Sequence, residues 1–265
     1  MSRRAVAATS VRDALDSAVI PLTAAGCDTP RLDAEVLLAW VLGISRAALI
    51  ADSRRDLSGA EARAFMDAVR RRREREPVAY ITGVKGFRFI ELEVDRRVLI
   101  PRPETEHVVE AALGLPSGSR VVDVGTGSGA IALALKHERP DLEVFGTDIA
   151  TLDVARANAA RLGLDVTFVA GDLLAGLEAD AIVSNPPYIA HDERLPPDVG
   201  FEPPAALFAG DGLDVLRRLW VAPFVAVEHG MGQADAVAAI ASEAGYSVER
   251  IKDLAGIERV VVGRR

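Results

Sequence analysis

The chain has 265 residues, 49% of them hydrophobic, and a formal net charge of −8. That length can hold one large domain or two modest ones, and the acidic balance suits a polyphosphate partner poorly, so no stable nucleic-acid binding is expected. The single cysteine, Cys27, excludes an intrachain disulfide and a thiolate zinc cluster, and His107, His137, His191 and His229 lack ligand spacing, so no metal is expected.

Apolar stretches stop well short of the roughly 18 residues a membrane span needs, and Met1 to Ser10 has no apolar signal core. The expectation is a cytoplasmic protein with no membrane partner. From Val11 to about Arg75, apolar residues recur at three- and four-residue spacing. Asp28-Thr29-Pro30 offers a cap and a first-turn proline to a helix through Leu32, Val36, Leu37 and Trp40 that stops at Gly43. Ser58-Gly59-Ala60-Glu61 matches a capping box and opens a helix through Phe65, Met66 and Val69, which Pro77 ends. Residues 1–76 are therefore expected to form a small helical domain. Within it, the run Arg70 to Arg73 with Arg75 reads as a solvated helix face, or as a contact for an acidic surface or RNA.

Between Val78 and Ile100 the period shifts to two, and Phe87, Phe89 and the run Ile90 to Val94 suggest a β-hairpin linker over 77–100. The remainder, 101–265, opens on a helix introduced by Pro101-Arg102-Pro103-Glu104-Thr105-Glu106 and then alternates strands with helices. Strands are expected over Val121 to Val124, Leu142 to Gly146, Val166 to Val169, Ala181 to Ser184 and Phe224 to Val227, with helices after Ser128, Ala150 and Met231. That alternation calls for an α/β fold with a mainly parallel sheet and helices on both faces.

Asp123-Val124-Gly125-Thr126-Gly127-Ser128-Gly129 follows the first of these strands and enters a helix, so its glycines let a ligand approach the helix N-terminus. Gly125, Gly127 and Ala130 also satisfy a loose dinucleotide fingerprint, and a purely structural turn is a further reading. Asp148 ends the second strand, where a carboxylate can hold ribose hydroxyls or merely cap the helix near Ala150. Asp172 and Asn185 follow the third and fourth strands, giving one polar residue at the carboxyl end of each of four successive strands.

Asn185-Pro186-Pro187-Tyr188 ends the apolar run Ala181 to Ser184. Two prolines stiffen the turn and remove its N–H donors, which leaves carbonyl oxygens and the Asn185 side-chain oxygen as acceptors for a planar NH₂ group. Tyr188 adds an aromatic face. A proline-rich turn that simply ends a strand is the plainer reading.

These four strand ends resemble a class I S-adenosylmethionine-dependent methyltransferase, a Rossmann-like fold. The resemblance implies that Gly125, Thr126, Gly127, Ser128 and Gly129 meet the amino-acid part of the cofactor and that Asp148 binds ribose. It also implies that Asp172 and Leu173 lie by adenine and that Asn185 borders the donor. Enzymes with an Asn-Pro-Pro-Tyr turn methylate DNA bases, RNA or protein glutamine. Pro77 to Gly83, Val98 to Glu106, Val183 to Ile189, Phe201-Glu202-Pro203 and Glu228-His229-Gly230 resemble the HemK/PrmC-type release factor glutamine methyltransferases. The likeness runs from about Val11 to Gly263. It implies that the substrate is the glutamine of the Gly-Gly-Gln loop in class 1 peptide-chain release factors, with the helical domain gripping that partner. Asn185, Pro186 and Tyr188 would be catalytic, and Pro187 and Arg102 would join them in binding substrate. An adenine-N6 or other nucleic-acid amino-methyltransferase is the alternative.

Two departures stand out. Between Asp211 and Glu228 the chain runs roughly ten residues shorter than the family pattern, leaving a crossover helix of about nine residues, or about 13 Å. A shifted fifth strand or a thinly covered outer sheet face is expected there. Leu173 replaces the aromatic that some relatives place beside adenine.

Overall fold

The computed structural model describes residues 9–265. Its contacts divide the chain into two units, one holding the residues up to Gly83 together with Pro196–Phe201, the other Val84–Leu195 with Glu202–Arg265.

In the first unit the helices are α1 (Val11–Ala24), α2 (Pro30–Leu42), α3 (Arg46–Ala51), α4 (Gly59–Arg73) and α5 (Val78–Thr82). Two short strands, β1 (Thr9–Ser10) and β2 (Asp56–Leu57), pair antiparallel. The helix signals work except at the start of α2, where Thr29 makes no side-chain capping hydrogen bond. Ser58 Oγ accepts from Glu61 N at 3.3 Å and Glu61 returns the bond to Ser58 N at 2.7 Å, closing the capping box. Pro30 stands in the first turn of α2, and Gly43 ends that helix at φ 64°. Leu15, Leu22, Leu37, Leu38, Leu49 and Phe65 form the core between them.

The arginine run is only in part the solvated face expected of it. Arg72 is buried, with its Nε 2.7 Å from Asp33 and its Nη1 2.7 Å from Asp198. Arg75 also pairs with Asp198, and Arg71 makes a two-pronged bridge to Glu76 at 2.7 and 2.9 Å. Only Arg70 and Arg73 of the run are exposed. Sequence separation hid these partners, since Asp33 and Asp198 lie 39 and 126 residues from Arg72.

The second unit opens on the expected hairpin, β3 (Val84–Phe87) with β4 (Ile90–Glu93). A 3₁₀ turn over Pro103–Thr105 leads into α6 (Glu106–Ala112). Then follow β5 (Arg120–Val124), α7 (Ala130–Glu138), β6 (Glu143–Asp148), α8 (Asp153–Leu162), β7 (Thr167–Ala170), β8 (Ala181–Ser184), β9 (Phe224–Glu228), α9 (Ala234–Glu243), β10 (Ser247–Lys252) and β11 (Glu258–Arg264). They build a seven-stranded sheet in the order β10-β11-β9-β8-β5-β6-β7. The five expected strands are all present and mutually parallel, while β10 and β11 add an antiparallel edge absent from the sequence reading. In β11, Val260, Val261 and Val262 are fully buried; β10 is a mostly polar strand and serves as the edge.

Period-two alternation sends Val122, Val124, Ile182, Val225, Val227 and Val261 to one face, where Val237 and Ala241 of α9 pack on them. Helix α6 contacts β8, β9 and β11, and α7 contacts β5, β6 and α6, covering the sheet. Because β5 is flanked by β6 on one side and β8 on the other, the chain reverses direction of travel across the sheet at β5. The crevice at the carboxyl ends of these strands is where open α/β sheets bind ligands.

The shortened segment corrects an expectation. In place of a nine-residue helix there is one 3₁₀ turn, Leu216–Arg218. The fifth strand is nevertheless in register, with Ala181 opposite Phe224 and Ser184 opposite Val227, and all five residues of β9 are buried. Leu216, Leu219 and Ala222 are buried, and Trp220 meets Tyr246 edge-to-face with centroids 5.4 Å apart. The Tyr246 hydroxyl donates to Ala222 O at 2.6 Å. Large side chains at the turn therefore cover the area a longer helix would have covered.

Candidate active site

The glycine loop leaves β5 and turns through left-handed backbone, with φ 72° at Gly125, 55° at Gly127 and 84° at Gly129. The three glycines have different reasons. A Cβ at Gly125 or Gly127 would enter open space, whereas one at Gly129 would come within 2.8 Å of Leu133 Cδ1. The first two thus leave the backbone open to a ligand, and the third lets α7 pack. Asp123 shapes the loop from below: its Oδ2 accepts from Thr126 Oγ1 at 2.6 Å and Ala132 N at 3.2 Å. Burial pushes the Asp123 carboxyl up to about 7.

Asp148 ends β6 and accepts from Gly127 N at 2.9 Å through one oxygen and from Ala150 N at 2.8 Å through the other. It joins the glycine loop to the turn before α8, and each oxygen keeps a further lone pair for a ligand hydroxyl. Asn158 braces the loop from behind, its amide donating to Ser128 O and Glu93 O, each at 3.0 Å, and accepting from Glu93 N at 2.7 Å.

The Asn185 turn is held beside this loop because Ser184 Oγ donates to Val124 O at 2.6 Å. Asn185 Nδ2 donates to Thr105 Oγ1 at 3.1 Å, and Thr105 Oγ1 donates to Glu228 Oε2 at 2.5 Å. Tyr188 donates its hydroxyl to the other oxygen, Glu228 Oε1, at 3.1 Å. Asn185 Oδ1 is buried and finds no hydrogen-bond partner among the described residues. Burial pushes the Glu228 carboxyl up to about 7, and burial together with Glu228 holds the Tyr188 phenol well above its ordinary range.

Tyr188 is fixed through its backbone too. Gln233 Nε2 donates to Tyr188 O at 2.9 Å, and Gly212 approaches so closely that a Cβ there would lie 2.6 Å from that oxygen. Arg102 forms an ion pair with buried Glu202, which also accepts from Ile100 N at 3.0 Å.

Of the residues singled out from sequence, Gly125, Asp148, Asp172, Leu173, Asn185 and Pro187 line one crevice. Thr126 and Ser128 are buried in the scaffold of the loop, and Pro186 is buried in the turn. Asp172 is exposed and bridges to Arg218 at 2.5 Å; Leu173, at φ 49°, accepts from Thr147 Oγ1 at 2.5 Å through its carbonyl. Sequence reasoning assigned no role to Asp123, Thr105, Glu228 and Gln233. Thr105 and Glu228 stand in segments that carried the resemblance, yet 123 residues separate them, and only folding brings their oxygens together.

The family model described as PrmC N-terminal domain matches residues 13–83, and that described as Methyltransferase small domain matches residues 106–197. The chain is 42% identical to the release factor glutamine methyltransferase of Deinococcus radiodurans, with 96% of this chain and 98% of that protein covered. It is 43% identical to the protein of the same name from Moorella thermoacetica, covering 97% and 99%. Among solved structures, a methyltransferase from Pyrococcus furiosus shares the fold at TM-score 0.50 and 20% identity, over 65% of this chain and 87% of that one.

Proposed function

Since the chain belongs to the release factor glutamine methyltransferase family, we propose that it transfers a methyl group from S-adenosylmethionine to the side-chain N5 of the glutamine in the Gly-Gly-Gln loop of class 1 peptide-chain release factors. The observation that carries this reading is the buried, unpartnered Asn185 Oδ1. A buried acceptor without a donor calls for a reason, and a planar amide NH₂ supplies one.

The crevice suits the cofactor: open space above Gly125 and Gly127 admits close approach to the backbone, and Asp148 retains lone pairs for ribose. Gly125 to Gly129 would hold the amino-acid part, with Asp148 on ribose and Asp172 and Leu173 by adenine. When bound, S-adenosylmethionine supplies a methyl group already activated on a cationic sulfur. The difficulty lies with the acceptor, because an amide nitrogen has a delocalised lone pair. Asn185 Oδ1 and the Pro186 carbonyl accept its two hydrogens, aim the lone pair at the methyl group and stabilise positive charge developing on nitrogen. Tyr188 and Pro187 hold the amide plane, and Arg102 borders the substrate. The methylated amide is acidic enough to lose its proton to Asn185, the carbonyl or water, so no strong base is required.

The helical unit that ends at Gly83 grips the release factor, and the unit that opens on the β3–β4 hairpin at Val84 holds cofactor and glutamine. Between α1 and α4 an apolar cleft lined by Ala14, Pro21, Phe65 and exposed Met66 lies beside Arg70 and Arg73, which supports docking there. Met66→Asp should raise KM for the release factor several-fold at unchanged cofactor affinity; an unchanged KM would remove the cleft from the interface. The enzyme works in the cytoplasm with release factors, and among the described residues no helix is long and apolar enough to cross a membrane.

The deciding experiment incubates the protein with labelled cofactor and, in parallel, a release factor, its Gln→Ala variant, DNA and RNA. Label on the release factor alone, lost in the variant, is expected. Label on nucleic acid instead would overturn the reading.

A further inference from the structure

A side-chain amide has two ends of similar shape and opposite hydrogen-bonding character, so the Asn185 turn works only if something fixes which end faces the substrate. Both rotations place a polar atom against Thr105 Oγ1, because a hydroxyl can donate or accept. What removes the ambiguity is one step further away. An ionised Glu228 has no proton to give, so the 2.5 Å contact with Thr105 requires the threonine hydroxyl to be the donor. With its only proton so committed, Thr105 Oγ1 can only accept from Asn185, and the NH₂ end must turn toward it at 3.1 Å. Tyr188 donates to the second Glu228 oxygen and holds the carboxylate in place.

We propose that Thr105 and Glu228 are positioning residues that set the rotation of the Asn185 amide, so that its oxygen and not its NH₂ is presented to the nitrogen being methylated. This rests on the amide-acceptor reading above. If the amide turned over, its NH₂ would meet the N–H groups of the substrate and repel them. The polarity of the chain depends on the charge of Glu228. A protonated Glu228 can donate to Thr105, freeing the threonine proton to face Asn185 and favouring the reversed amide. Burial brings that protonation up to about 7; the groups acting on Glu228 are Thr105, Tyr188, Glu104 before α6 and Arg259 on β11. Of these, Arg259 is itself held 3.0 Å from Asp253.

The test compares wild type, Thr105→Val, Thr105→Ser and Glu228→Gln in steady-state methylation of a release factor across pH 6 to 9, with the release factor's Gln→Ala variant as control. Thr105→Val keeps the shape but loses the hydroxyl. Its kcat should fall about 10- to 100-fold while KM values for cofactor and release factor stay within about twofold. Thr105→Ser should restore kcat to within about threefold. Wild-type kcat should decline on the acid side of pH 7, and that limb should be absent from both Thr105→Val and Glu228→Gln. A purely structural role would lower kcat at every pH and leave the limb in place. A second readout needs no turnover: the Asn185 side-chain ¹H–¹⁵N amide signals, identified by their loss in Asn185→Ala, should move in Thr105→Val and shift in wild type as pH crosses about 7. Thr105→Val that binds cofactor normally and keeps wild-type kcat with an unchanged acid limb overturns the positioning role alone. A wild type that leaves the release factor unlabelled overturns the function it serves.

Discussion

Asn185, at the end of β8, keeps an oxygen buried and unpartnered, while Asp148, at the end of β6, already accepts a backbone N–H at each of its oxygens. In the proposed reading the methyl-acceptor half is thus built around an unmet acceptor at Asn185, whereas Asp148 in the cofactor half is already hydrogen-bonded to the loop and would add the ligand through its remaining lone pairs. The difference follows from the work each half does. Binding a cofactor with many polar groups can be shared among several contacts, but aiming one amide lone pair depends on a single oxygen whose position must be set before the substrate arrives.

Removing the unmet acceptor should have the largest effect. Asn185→Ala is expected to lower kcat by about 10²- to 10³-fold, the range for loss of one preorganised partner of a developing charge, with cofactor affinity by calorimetry largely retained. A variant with near-normal methylation would remove the contrast altogether. Asp148→Asn should act on the other half, weakening cofactor affinity by roughly 10- to 100-fold, since charge-assisted hydrogen bonds are the ones lost; calorimetry showing unchanged affinity would take Asp148 out of the site.

Next in size is the effect of pH. The Glu228 carboxyl is pushed up to about 7, above its ordinary 4.5, and the ionised form accepts from Thr105 and Tyr188. Activity should therefore be full above pH 7 and fall by about tenfold for each unit below it. Stability carries the opposite sign. A folded-state value raised above the unfolded one means that the Glu228 contribution is fully present below 4.5 and lost as pH rises through about 7. Glu228→Gln should abolish both trends, with melting temperature against pH as the check on the second. Asp172→Asn should have the smallest effect, no more than a few-fold in cofactor affinity, because Asp172 is exposed and paired with Arg218. A loss as large as that of Asp148→Asn would mean that the exposed carboxylate carries as much of the cofactor as the half-buried one.

Much of this was legible in the chain. The five parallel strands and the capping box at Ser58 follow from local patterns, because apolar alternation and capping chemistry act over a few residues. Gly125, Asp148, Asp172 and Asn185 in the crevice were legible for the same reason, as each ends or follows a strand, whereas Arg97, Leu99 and Ala206 reach it from connecting segments that carried no such signal. The arginine run misled because its partners Asp33 and Asp198 are remote in sequence, and charge alone does not say whether a guanidinium is solvated or buried. The shortened segment misled differently. Counting residues gave too little helix, yet Leu216, Leu219 and Trp220 fill the same face with side-chain volume.

The order of the elements, the glycine loop, the acid after β6 and the acceptor-rich Asn185 turn can all be read along the chain, since each depends on near neighbours. Which end of Asn185 turns away from Thr105 is set only by folding. That choice depends on a hydroxyl proton held between Thr105 and Glu228, two residues with no relation along the chain until the 3₁₀ turn before α6 meets the end of β9.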